Sequence, residues 1–189
     1  MKKNIGVLAV QGAFAEHINT LKKLDINTIE IRKKSDLTEN HIDGIILPGG
    51  ESTVMGKLIN ELGMLNSLKK FIQDGLPVFG TCAGLILLAK KITNDDNVYI
   101  GTMDIEVKRN AYGRQLGSFH TNGQFAKLGQ VPMTFIRAPY IENVSKNVDI
   151  LAQIDNHIVA AKQNNMIVTS FHPELTSDLN IHKYFLDLI

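Results

Sequence analysis

The sequence contains a single cysteine, and its surroundings suggest chemistry. Cys82 lies in Gly80-Thr81-Cys82-Ala83-Gly84, between a short apolar run and a longer one, which is the G-x-nucleophile-x-G form of a nucleophile elbow. A nucleophile at the apex of a tight strand-to-helix turn brings neighbouring backbone very close, so the positions two before and two after must be nearly free of side chain. Gly80 and Gly84 meet that need. A helix starting just after the cysteine directs its first N–H groups and partial positive charge at the sulfur, which favours thiolate and supplies donors for an oxyanion. The Ala83 N–H is the first candidate for that oxyanion hole. By itself the elbow does not separate an amidase from a peptidase or a redox sensor.

A thiol nucleophile needs a base that also returns the proton to the leaving amine, together with a group that orients the base. Of six histidines, His172 ends an apolar strand-like run in Ser170-Phe171-His172-Pro173-Glu174, with a carboxylate two residues on. In an extended chain residues i and i+2 face the same side, and Pro173 favours extension of the residue before it, so Glu174 can accept a hydrogen bond from the imidazole. Cys82, His172 and Glu174 therefore form a candidate catalytic triad. His17, His41, His157 and His182 lie on polar or amphipathic stretches and read as surface or cap residues, and His120, in a polar turn, receives no role.

The elements that must position these residues follow from periodicity. Residues 5–10, 27–31, 44–47 and 77–79 read as strands, alternating with amphipathic helices over 14–23, 52–61, 65–73 and 85–91. In the first helix Phe14, Ile18 and Leu21 share a face. The strand at 44–47 is wholly apolar, as expected at the centre of a parallel sheet, and stops at Pro48-Gly49-Gly50. Beyond residue 94, strand-like segments at 104–108, 133–136, 150–154, 158–162 and 166–170 are separated by short polar turns that suggest antiparallel pairing, and a helix over 181–189 ends the chain. The expected architecture is a doubly wound, mostly parallel α/β sheet with additional antiparallel strands in the C-terminal half.

At 189 residues and 44% hydrophobic content, the chain can bury one substantial core, and residues 1–189 read as one domain. Twenty basic and nineteen acidic side chains nearly cancel, without the basic patch of a nucleic-acid binder. The apolar run at 5–10 is too short for a secretory signal, and no run reaches membrane-spanning length. One cysteine makes no internal disulfide and favours a reducing cytoplasm.

Gly-Thr-Cys-Ala-Gly at 80–84 with Phe-His-Pro-Glu at 171–174 resembles the class I (triad) glutamine amidotransferases. Four further stretches are similar to the glutaminase subunits of pyridoxal 5′-phosphate synthases: Leu47-Pro48-Gly49-Gly50-Glu51-Ser52-Thr53, Arg109-Asn110-Ala111-Tyr112-Gly113-Arg114-Gln115, Phe135-Ile136-Arg137-Ala138-Pro139 and Leu175-Thr176. The sequence departs from that pattern at Asn110-Ala111-Tyr112 and at Ser118-Phe119-His120, away from the triad.

The resemblance implies a three-layer α/β/α sandwich and hydrolysis of L-glutamine to glutamate and ammonia through a Cys82, His172, Glu174 triad and a thioester, with no metal or organic cofactor. It implies glutamine held by Gly49, Gly50, Glu51, Arg109, Ile136 and Arg137, with Gly49 and Gly50 joining Ala83 at the oxyanion hole. Each role has physical sense. Two adjacent glycines let backbone N–H groups approach a ligand, although the same residues would serve as an ordinary turn capped by Ser52. Arg109 and Arg137 suit a substrate carboxylate, a role that only the resemblance selects over surface ion pairing. The implied partner is a separate synthase subunit that consumes the ammonia, with glutaminase turnover rising when it binds. Two rivals are a cysteine peptidase of related fold, which usually places histidine directly after the nucleophile where this chain has Ala83, and a catalytically silent regulatory subunit, which predicts a missing triad member.

Overall fold

A computed structural model describes residues 2–110 and 117–189. Residues Ala111 to Gln115 of the arginine-containing stretch lie outside them. In chain order the elements begin β1 (Asn4–Leu8), α1 (Phe14–Lys23), β2 (Asn27–Ile31), α2 (Lys34–Thr38), β3 (Gly44–Leu47), α3 (Ser52–Glu61), α4 (Leu65–Gln73), β4 (Val78–Thr81), α5 (Ala83–Leu88) and β5 (Ala89–Ile92). They continue with β6 (Met103–Lys108), β7 (Ser118–Phe125), β8 (Gly129–Ile136), β9 (Tyr140–Val144), β10 (Asp149–Ile154), β11 (His157–Gln163), β12 (Met166–Thr169) and α6 (Asn180–Leu186).

The strands run β2-β1-β3-β4-β12-β11-β10-β7-β8, with β5, β6 and β9 forming a side ladder that joins at β11. From β2 to β12 every pairing is parallel, and from β12 to β8 every pairing is antiparallel. The parallel block with antiparallel strands appended from the C-terminal half matches the architecture expected from periodicity. Its side chains sort to two faces by strand alternation. Ile45, Leu47, Val78 and Val168 pack with α3, α4 and α5, whereas Ile46, Phe79 and Ile167 pack with α1 and α6. The four residues of β3 are all buried because both faces are covered.

The structure departs from the sequence reading in identifiable places. The apolar run after the elbow divides: α5 ends at Leu88, and β5 pairs in parallel with β6. No glycine or proline marks that boundary, and sheet pairing of the Lys-Lys segment prevails over helical propensity. The five-residue α2 and the strands β7 and β9 are additional. Among the described residues no helix is long and apolar enough to cross a membrane.

Candidate active site

Loops leaving the carboxyl ends of the parallel strands converge at one edge of the sheet, where open α/β sheets bind ligands. β3 leads into Pro48-Gly49-Gly50, β4 into Cys82, and β12 through Ser170 and Phe171 into His172. The last residues of β6 and β8 carry the chain to Arg109 and to Ile136 and Arg137.

Cys82 stands between β4 and α5 with φ 48° and ψ −98°, a backbone conformation that L-residues rarely adopt. The turn is kept by its neighbours. A Cβ on Gly80 would lie 2.8 Å from the backbone of Gly84, and a Cβ on Gly84 would lie 2.0 Å from the Leu47 carbonyl oxygen of β3. The spacing that marked the elbow in sequence is thus required by backbone packing on both sides. The Cys82 N–H donates to the Thr169 carbonyl at 2.8 Å, tying the elbow to β12. Ala83 is the first residue of α5, so its N–H has no partner within the helix.

His172 is pinned by its own N–H, which donates to the Thr134 carbonyl of β8 at 2.8 Å. Its Nδ1 lies 2.7 Å from Glu174 Oε1, and Cys82 is close enough to interact with its imidazole. The structure therefore brings the three triad residues together in series. The local geometry differs from the extended segment expected: residues Pro173–Leu175 form a 3₁₀ turn that swings the carboxylate back under the ring. Burial opposes charging the imidazole, but the interactions with Cys82 and Glu174 prevail and raise its pKa to about 10. Burial likewise disfavours the Glu174 carboxylate, yet His17 and His172 hold its pKa below the usual value.

Cys82 and His172 open into a cavity of about 620 Å³ whose wall includes Gly49, Gly50, Glu51, Arg109, Ile136 and Arg137, all six of the glutamine contacts expected from the resemblance. Gly49 abuts the His172 imidazole so closely that a Cβ there would lie 2.2 Å from Cε1. The Gly49 carbonyl accepts from the Ala13 N–H at 2.9 Å, and the Glu51 N–H donates to Gln11 Oε1 at 2.9 Å, so the Gly-Gly loop is fastened to the segment before α1.

Glu51, rather than Ser52, caps α3, its carboxylate accepting from the N–H groups of Thr53 at 3.1 Å and Val54 at 2.7 Å. Arg109 is oriented by Tyr99 Oη at 2.8 Å and Asp95 Oδ2 at 3.3 Å, and its buried Nε has no hydrogen-bond partner among the described residues. Arg137 lies at φ 42° with its N–H bonded to the Gly117 carbonyl. Gln11, Glu16, Asn110, Pro139 and Leu175 also line the cavity, a contribution that sequence reading did not single out.

Sequence reading also passed over two buried histidines. His17 of α1 is fully buried beside Glu174, and His182 of α6 is fully buried beside His17, although both read from sequence as surface or cap residues on polar or amphipathic stretches. Their signal was available, since His17 falls on the stripe formed by Phe14, Ile18 and Leu21, and His182 stands beside Ile181 and Phe185. Of the others, His41 sits exposed beside Asp43, His157 stacks on Tyr140, and His120 Nδ1 lies 2.9 Å from Thr134 Oγ1.

Comparison with known proteins agrees with this geometry. The chain is 58% identical over 186 residues to the pyridoxal 5′-phosphate synthase subunit PdxT of Haemophilus influenzae strain PittEE, covering 97% of each chain. It is 55% identical to the subunit of the same name from Streptococcus pneumoniae strain CGSP14, covering 97% of this chain and 96% of that one. A crystal structure of a glutamine amidotransferase superposes with a TM-score of 0.93 at 42% identity, over 97% of each chain. A putative GMP synthase subunit from Thermoplasma acidophilum, at 20% identity and a TM-score of 0.71 over 100% of this chain and 94% of its own, shares the fold. Residues 7–189 match the family model as well, and the chain belongs to the SNO glutamine amidotransferase family.

Proposed function

We propose that the chain hydrolyses L-glutamine to L-glutamate and ammonia with Cys82, His172 and Glu174, and passes the ammonia to a synthase subunit that makes pyridoxal 5′-phosphate. The observation that carries the reading is the series Cys82, His172, Glu174 at the mouth of a cavity bearing two arginines. The second half of the reading is supported by the near full-length relatives named as subunits of that synthase. The proposal treats residues 1–189 as one glutaminase unit working in the reducing cytoplasm without metal or organic cofactor.

Arg109 and Arg137 bind the α-carboxylate of glutamine, directing its side-chain amide toward Cys82. Ile136 and the Gly49-Gly50-Glu51 backbone enclose the rest of the substrate. The Cys82 thiolate attacks the amide carbon, and the carbonyl electron pair moves onto oxygen, where N–H groups of Ala83 and the Gly49-Gly50 region receive it. As the tetrahedral intermediate collapses, the C–N bond breaks and the His172 imidazolium gives its Nε2 proton to the departing nitrogen, releasing ammonia. The neutral imidazole then takes a proton from water. The resulting hydroxide attacks the γ-glutamyl thioester, the C–S bond breaks, and glutamate leaves with Cys82 and His172 again a thiolate–imidazolium pair. Glu174 holds the ring in one tautomer throughout.

Replacing Cys82 with alanine tests the assignment directly. Glutamate release, measured with the synthase present, is expected to vanish while the circular-dichroism spectrum is unchanged. Glutamate release by a folded Cys82→Ala protein would remove this residue as nucleophile.

A further inference from the structure

Glu174 spends only one of its two oxygens on His172. Oε1 accepts from Nδ1 at 2.7 Å, while Oε2 is buried without a hydrogen-bond partner among the described residues, and His17 Nε2 stands 3.5 Å from it. A carboxylate oxygen left unpaired in the core is expensive, so the group facing it matters. His17 Nε2 is also 3.2 Å from Thr81 Oγ1, on the residue preceding the nucleophile, and His17 Nδ1 is 3.0 Å from His182 Nε2. Phe79 meets both imidazoles edge-on, with centroids 6.0 and 5.6 Å away, and closes the cluster within the core.

The contacts select one arrangement of protons. Burial holds both histidines neutral, lowering the pKa of His17 and bringing that of His182 to about 3. Around His17, Glu174 and Glu16 favour the cation and His172 disfavours it, and burial outweighs them. A neutral imidazole has one donor and one acceptor. If His182 Nε2–H donates to His17 Nδ1, then His17 Nε2–H faces Glu174 Oε2 and Thr81 Oγ1, and His182 Nδ1 is left with a lone pair and not a buried N–H. The opposite arrangement sets the His17 Nε2 lone pair against the carboxylate oxygen and orphans a buried N–H on His182. The first satisfies more of the buried groups.

We infer that His17 and His182 are positioning residues of the glutaminase site, His182 fixing the tautomer of His17 and His17 presenting an N–H to Glu174 Oε2 so that the carboxylate stays aimed at His172. The inference rests on the glutaminase reading and extends the triad inward by two side chains from α1 and α6. Neither histidine lines the cavity, so both act through Glu174.

Cys82 is the chain's only cysteine, so its alkylation by iodoacetamide reports the Cys82–His172 pair without interference. Two readouts are needed: the pH profile of that alkylation on the full-length chain, and glutaminase kcat and KM with the synthase present. His17→Leu removes the N–H; kcat is expected to fall about tenfold, equivalent to one pKa unit of lost stabilisation, with KM for glutamine nearly unchanged. The high-pH limb of alkylation, where His172 loses its proton, should move to lower pH. His17→Gln can return an amide N–H near the same place and should restore most of both.

If His17→Leu does not fold, His182→Leu and its rescue by His182→Gln provide the same test one step further back. Folded leucine variants with wild-type kcat and an unmoved limb overturn the inference, as does a glutamine variant no better than leucine. Absence of glutaminase activity in the wild-type complex would instead remove the functional reading, because the alkylation profile requires no glutamine turnover.

Discussion

His172 is held between a sulfur and a carboxylate, and the two partners raise its pKa to about 10 against the opposing effect of burial. A basic group raised in the folded state contributes stability that is fully present below its ordinary value of 6.5 and is lost as pH rises through about 10. The imidazolium therefore persists across neutral pH, so in the proposed reaction the proton for the leaving nitrogen is already in place when glutamine arrives. The high-pH limb of Cys82 alkylation in the wild-type chain, where His172 loses its proton, is expected as pH passes about 10. Glu174→Gln removes the negative partner and should bring that limb down toward the ordinary histidine value. A wild-type limb near 6.5, or no movement in Glu174→Gln, would contradict the ion-pair description.

The elbow shows why secondary elements, and not side chains alone, define the site. Gly84, in the first turn of α5, leans on the carbonyl of Leu47 in β3, a backbone atom that cannot rotate away, and an added Cβ would lie 2.0 Å from it. Gly84→Ala should destabilise the chain by about 3 kcal/mol or more, at the upper end of overpacking effects, seen as a lowered urea midpoint. An unchanged midpoint would mean that α5 can shift relative to β3. The same contact explains what could be read without a structure. Glycine spacing, apolar periodicity and the Ser170-to-Glu174 run are local, so the elbow, α1, β3, α3, α4 and the grouping of Cys82, His172 and Glu174 were legible. Contacts made only by folding were less so: β5 is a strand because β6 lies beside it, and the polar β7 is held by β8. Likewise, His17 gains its neighbours from Thr81, Glu174 and His182, residues 64, 157 and 165 positions away.

Across the molecule, the Gly49-Gly50 peptide connects the segment before α1 to the catalytic imidazole. Its carbonyl accepts from the Ala13 N–H, Gly12 at φ 96° packs so tightly that a Cβ there would meet the Gly49 oxygen at 2.0 Å, and Gly49 itself rests on His172. Turning this peptide to offer a different N–H to the oxyanion breaks the bond to Ala13, at a cost of about 1 kcal/mol, before any change in the packing of Gly12. A partner that binds the turned peptide better than the resting one shifts the population by its difference in affinity, and a difference of about 1.4–2.8 kcal/mol corresponds to 10- to 100-fold activation. Glutaminase turnover is therefore expected to be low for the chain alone and to rise by about that factor with the synthase subunit. Cys82 alkylation should hardly change, because the nucleophile and its base are assembled before the partner arrives. Equal turnover with and without the synthase would show that the hole is already complete, whereas a parallel rise in alkylation would place the change at the Cys82–His172 pair.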